Sequence, residues 1–126
     1  MPIGNEMGKF SLTATSFTNF PSEGGVMTAT GNMEGEVTGE ITGAILLTMN
    51  FKTSDMKNGT YTSVASVFLE NGDNLNGEGS GCYESIGAHK WRLRGHDILS
   101  DGSIIAVEGE MDLATRTYSG NIFAWD

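Results

Sequence analysis

The residues best able to do chemistry lie in the stretch YESIGAH, residues 83 to 89. A tight turn at Ile86-Gly87 would set Tyr83 or Glu84 beside His89, joining a phenol or a carboxylate to an imidazole. Proton transfer needs such neighbours within hydrogen-bond reach, and a carboxylate can orient the ring. The same histidine can instead hydrogen-bond a ligand or serve structurally, and the sequence leaves the three roles open. Cys82 faces away from Tyr83 in an extended strand and has no activating base, so it is not read as a nucleophile. The other histidine, His96, lies about 23 Å along an extended strand from His89, too far to share a metal ion. Asp97, about 27 Å from His89 along the strand, cannot form a dyad with it. It is expected to face inward at a rim and to cap the hairpin loop that follows.

Composition narrows the partners. The 126 residues suit one domain, 1–126, with one core. Sixteen acids against seven bases give a formal charge of −9, which repels phosphate backbones and anionic membranes. Nucleic acid and membrane are therefore not expected partners. The opening MPIGNEMGKF has no basic segment followed by an apolar run, which leads to the expectation of a cytoplasmic protein. With Cys82 as the single cysteine there is no intramolecular disulfide, thiolate cage or cysteine-pair redox site, and neither metal nor cofactor is expected. GEGSG, residues 77 to 81, has glycines but no following helix and no Lys, so it is not read as a phosphate loop.

The elements that must position these residues are strands. Eighteen glycines, two prolines and many Thr, Val and Ile describe strands punctuated by turns. The candidates are Lys9 to Phe17, Val26 to Gly31, Glu36 to Phe51, Thr60 to Leu69, Gly77 to Ser85, His89 to Leu99, Ser103 to Leu113 and Thr117 to Trp125. The long third one is expected to bend or split. Turns are expected at 21–25, 31–35, at Asn58-Gly59, at 71–73 and at 100–102. Even spacing and short connections predict an all-β fold: an antiparallel, largely up-and-down β-barrel of about eight strands, closed because closure removes exposed edges.

One hairpin fixes its own register. A three-residue loop at Ser100-Asp101-Gly102 pairs Leu99 with Ser103, so that Arg94 opposes Glu108, Arg92 opposes Glu110 and Lys90 opposes Asp112. The same register sets Trp91 opposite Met111 on the other face. With the apolar face inward the charges are solvated. The reverse orientation buries three ion pairs at several kcal/mol per ion. A loop at Ala114-Thr115-Arg116 then pairs Leu113 with Thr117, which predicts Ser119, Asn121, Phe123 and Trp125 inward, with an apolar end near Phe123 and a polar end near Tyr83 and His89. In GEVTGEITG, residues 35 to 43, and again in GEGSG, glycines share the inward face. They either let the strands coil around a packed core or leave room for a ligand.

The strand-and-glycine pattern resembles small lipocalin-like barrels and, more loosely, allene oxide cyclase-like barrels, a calycin-type pattern that spans nearly the whole chain. The tryptophans stand at 91 and 125, and no Gly-x-Trp element lies near the N-terminus. The resemblance implies an apolar small molecule bound, cyclised or isomerised inside the barrel. The expected walls are Trp91, Met111, Phe123 and the adaptable Met49, with Asn121, Tyr83 and His89 as polar contacts. A cofactor-free cyclase or isomerase using His89 with Tyr83 or Glu84 is the alternative, and a solidly packed structural subunit the third. Thr60 to Leu69 is apolar on both faces, which predicts a homodimer or small homo-oligomer.

Overall fold

The computed structural model describes residues 3–125. It consists of β1 (Ile3–Glu23), β2 (Val26–Gly39), β3 (Gly43–Thr53), β4 (Asn58–Leu69), β5 (Asn74–Gly87), β6 (Lys90–Leu99), β7 (Ile104–Asp112) and β8 (Thr117–Trp125). Each strand pairs antiparallel with its chain neighbour, and β8 returns to pair with β1. The all-β, up-and-down barrel of eight strands expected from the turn spacing is the fold, consistent with a calycin-like barrel. No helix among the described residues is long and apolar enough to cross a membrane.

The β6–β7 hairpin has the register its charges predict. Lys90 pairs with Asp112, Arg92 with Glu110 and Arg94 with Glu108, and Gly102 takes the left-handed turn position at φ 91°. The charged side chains lie outside, while Leu93 (1% exposed) and Met111 lie in the core. The arginines nevertheless reach across to β5, where Glu84 lies 3.8 Å from Arg92 and 3.5 Å from Arg94. Only Lys90 keeps its ladder partner, Asp112, at 4.0 Å.

Three expected turns differ. Residues 31–35 run inside β2, and the chain reverses at 40–42, splitting the stretch Glu36 to Phe51. Gly39 at φ 118° permits the reversal, and the Thr42 hydroxyl donates to its carbonyl at 2.9 Å. Asn58-Gly59 opens β4; the reversal before it is made by 54–57, where the Asp55 carboxylate accepts from the amides of Lys57 (2.8 Å) and Asn58 (2.9 Å). Before β8 the loop has four residues, 113–116, so Asp112 pairs with Thr117 and Met111 with Tyr118. That single extra residue turns β8 over. Tyr118 and Ile122 enter the core, and Ser119, Asn121, Phe123 and Trp125 fall on the other face, contrary to expectation.

Several inward glycines lie beneath neighbouring side chains. A Cβ on Gly81 would meet the Tyr61 ring at 2.7 Å, one on Gly109 the Tyr118 ring at 2.7 Å and Phe10 at 3.0 Å, and one on Gly31 the Phe17 ring at 2.6 Å. These glycines are floors on which neighbouring aromatic rings lie, so the space they leave is filled by side chains. Phe10 and Tyr118 pack edge to face with centroids 4.9 Å apart.

Two substitutions separate the outer from the inner face. Arg92→Glu is expected to cost no more than about 1 kcal/mol, because its pair with Glu84 is exposed. Gly109→Val is expected to cost about 1–3 kcal/mol through overpacking. Urea unfolding of both variants checks this, and a larger loss for Arg92→Glu than for Gly109→Val would reverse the assignment of faces.

Candidate functional site

The interior is divided in two. At the end where the turns 54–57, 88–89 and 113–116 lie, a cavity of about 480 Å³ opens among Phe51, Met56, Tyr83, Trp91, Met111 and Leu113. Its remaining wall comes from β1 and β2. β1 pairs with β8 as far as Thr13 and with β2 as far as Glu23, so the β1–β2 hairpin extends past the barrel and brings Phe17, Phe20 and Met27 over the mouth. At the other end a cavity of about 80 Å³ is lined by Ile41, Leu75, Leu99 and Ile105, with Asp97 and Ser63 among them. Met33, Met49 and Leu93, each no more than 3% exposed, fill the middle.

Each mouth side chain is held by its strand and by one polar tie. Trp91, the second residue of β6, donates from Nε1 to the Met56 carbonyl at 3.3 Å, which fastens the 54–57 turn to the far wall. Tyr83 lies over Gly59, donates its hydroxyl to the Lys52 carbonyl at 3.2 Å, and meets Phe51 edge to face at 5.8 Å. Burial pushes the Tyr83 phenol up, and the nearby Asp55 carboxylate adds to that. The expected walls Trp91 and Met111 therefore meet in one cavity with Tyr83. Met49 faces inward but lines the smaller chamber.

The expected catalytic group is not assembled. Glu84 points outward to Arg92 and Arg94, on the face opposite Tyr83. His89 is the second residue of the 88–89 turn, exposed and in the left-handed region at φ 58°, rather than in line with Trp91. Asn121 lies outside and accepts from Lys9 Nζ at 3.0 Å. Phe123 lies outside beside Ala106, so neither Asn121 nor Phe123 contributes to either cavity. Among the described residues no three His, Cys, Asp or Glu side chains are grouped to hold a metal ion.

The polar centre of the interior is elsewhere. Asp97 is inside the barrel, not at the rim; the hairpin loop is capped by Asp101, whose carboxylate accepts from the Ser103 amide at 2.9 Å. Ser63, Gly79 and Asp97 pair in one row across β4, β5 and β6, and the Asp97 carboxyl occupies the place where a side chain on Gly79 would stand. Burial raises the Asp97 pKa, partly offset by the charge of His96 and by hydrogen bonding from Ser63. Tyr61 and Tyr118 also rise, first from burial and then through neighbours that include Asp97. Strand parity alone puts Asp97 inward; what sequence reading missed was that Gly79 opposite it is its socket.

An acid whose folded pKa is raised above the ordinary 3.8 contributes stability that is complete below that value and is lost as pH rises through the folded pKa. Asp97→Asn should therefore raise the melting temperature at pH 7, and the gain should vanish toward pH 3. Thermal unfolding across that range tests it; equal effects at both ends would mean Asp97 is not penalised by burial.

No protein-family model matches this chain, and no curated protein or solved structure is detectably similar to it.

Proposed function

We propose that this barrel binds one small, mostly apolar molecule in its mouth, as a lipocalin-like carrier of calycin type. The observation that carries this reading is the 480 Å³ cavity walled by Phe51, Trp91, Met111 and Leu113 with a single phenol, Tyr83, among them. Small-molecule sites span roughly 300–1,000 Å³ and are mostly apolar with few polar groups. Aromatic rings supply rigid area, and the thioethers of Met27, Met56 and Met111 adapt to the shape of a guest. The free, exposed Cys82 suits a reducing compartment, in keeping with a cytoplasmic carrier.

A neutral apolar fluorophore, N-phenyl-1-naphthylamine, is expected to bind saturably at one site. Leu113→Arg, at a partly exposed position of the cavity wall, should weaken binding at least about tenfold, equivalent to about 1.4 kcal/mol. His89→Ala should bind like the unaltered protein, because the side chain lies outside the cavity. Fluorescence titration with parallel urea curves checks both, and unsaturable binding by the unaltered protein would overturn the reading.

We also propose that the carrier is a homodimer. On the outer face Leu46 (51% exposed), Val64 (53%) and Phe68 (48%) are neighbours, since Leu46 pairs with Ser66 between the other two. A patch of this kind on a sheet asks for cover, and a second copy supplies an equal one. Light scattering is expected to give a dimer mass that Val64→Glu reduces to a monomer; a concentration-independent monomer would refute this.

A further inference from the structure

The smaller chamber is separate from the mouth: the two share no lining residue. Its walls are mostly apolar side chains, aliphatic and aromatic, yet Asp97 projects among them and retains accessible surface where Leu93 and Leu99, on the same face of β6, are buried. All seven lysines and arginines lie on the outer face or in turns, so none of them serves Asp97 as an internal counter-ion, and His96, on the outer face, offsets its burial only in part. The groups that face it are Ser63 and Tyr61 from β4 and Tyr118 from β8, all neutral. An ionised carboxyl without a partner in apolar surroundings is costly, and a cation that enters the chamber removes that cost.

The field at the entrance agrees. The turns at that end, 40–42, 70–73 and 100–103, carry Glu40, Glu70, Asp73 and Asp101 and no Lys, Arg or His. The turns at the mouth end carry Lys57, His89 and Arg116 against one acid, Asp55. An acidic rim around a low-dielectric opening concentrates cations there.

We propose that this chamber is a second binding site, which takes a short branched alkylammonium ion with its charged head against Asp97 and its hydrocarbon against Leu99 and Ile105. The volume of about 80 Å³ sets the size. A dry cavity of about 150 Å³ holds benzene, so the guest here is about half that size, of about three or four heavy atoms. Ser63 and the phenol of Tyr61 supply the remaining hydrogen-bond partners for the head. Gly79 is part of the site, because any side chain there would displace the carboxyl.

Isopropylammonium chloride, with isopropanol as its neutral isostere and acetate as its anionic one, tests this by titration of methyl NMR signals. Saturable shifts are expected at the Ile45, Leu99 and Ile105 methyls, at least about tenfold weaker affinity for isopropanol, and no binding of acetate. Asp97→Asn should lower the affinity for the ammonium ion at least about tenfold and leave isopropanol unchanged. Leu113→Arg, in the mouth, should leave the ammonium titration unchanged, so failure of the mouth reading and failure of this one are distinguishable. Equal affinity for isopropanol and the ammonium ion, an unaltered titration in Asp97→Asn, or shifts confined to Leu93 and Leu113 would each overturn the proposal.

Discussion

Partners in an antiparallel ladder direct their side chains to the same face, so in a closed ring one choice of parity passes from strand to strand and must agree with itself at the seam. In this barrel the choice is made where Leu93 and Met111 are buried behind the charged face of β6 and β7. It then reaches β8, whose pairing with β1 sets Tyr118 against Leu12 and Gly120 against Phe10. Had β8 kept the register of a three-residue loop, Thr117 and Ser119 would meet Leu12 and Phe10 in the core. Closure excludes that, because buried hydroxyls there would lack partners while a tyrosine and an isoleucine stood in water.

Inside the ring, volume is managed by pairing large rings with bare backbone. Tyr61 lies over Gly81, Tyr118 and Phe10 over Gly109, and Tyr83 over Gly59. These contacts allow aromatic side chains in a barrel of eight strands without forcing it wider. They also concentrate packing at mid-height, where Met33, Met49 and Leu93 are almost wholly buried. The ends are left less full, and they differ. One is aromatic and thioether-rich under the projecting β1–β2 hairpin; the other is richer in Ile, Leu and Val and holds one carboxyl. Charge follows the same division, since the bases in the turns gather at the aromatic end and the acidic turns at the carboxyl end.

Asp97 is where stability and this arrangement pull apart. Its burial penalises the ionised form, and Ser63 and His96 offset the penalty only in part. A leucine in its place would extend the aliphatic wall formed by Leu99 and Ile105. Gly79, with no side chain of its own, leaves the place that the carboxyl fills.

The sequence by itself determined the class of fold, the cyclic order of strands and the β6–β7 register, because alternation of charge and hydrocarbon over Lys90 to Asp112 has only one alignment that suits both faces. It also placed Trp91, Met111 and Tyr83 toward the interior, since one period-2 pattern holds for each strand. It did not determine the orientation of β8, where TYSGNIFAW carries apolar residues at both parities and a loop of three or four residues decides between them. Nor did it distinguish glycines that turn the chain from glycines that lie beneath a ring. Gly31, Gly35 and Gly59 read as turn formers locally, yet they are strand residues facing Phe17, Leu12 and Tyr83. Only the tertiary structure decided that, and with it the absence of His89, Asn121 and Phe123 from the lining of both cavities and the presence of Asp97 in one, because which side chain covers a bare stretch of backbone depends on neighbours tens of residues away in the chain.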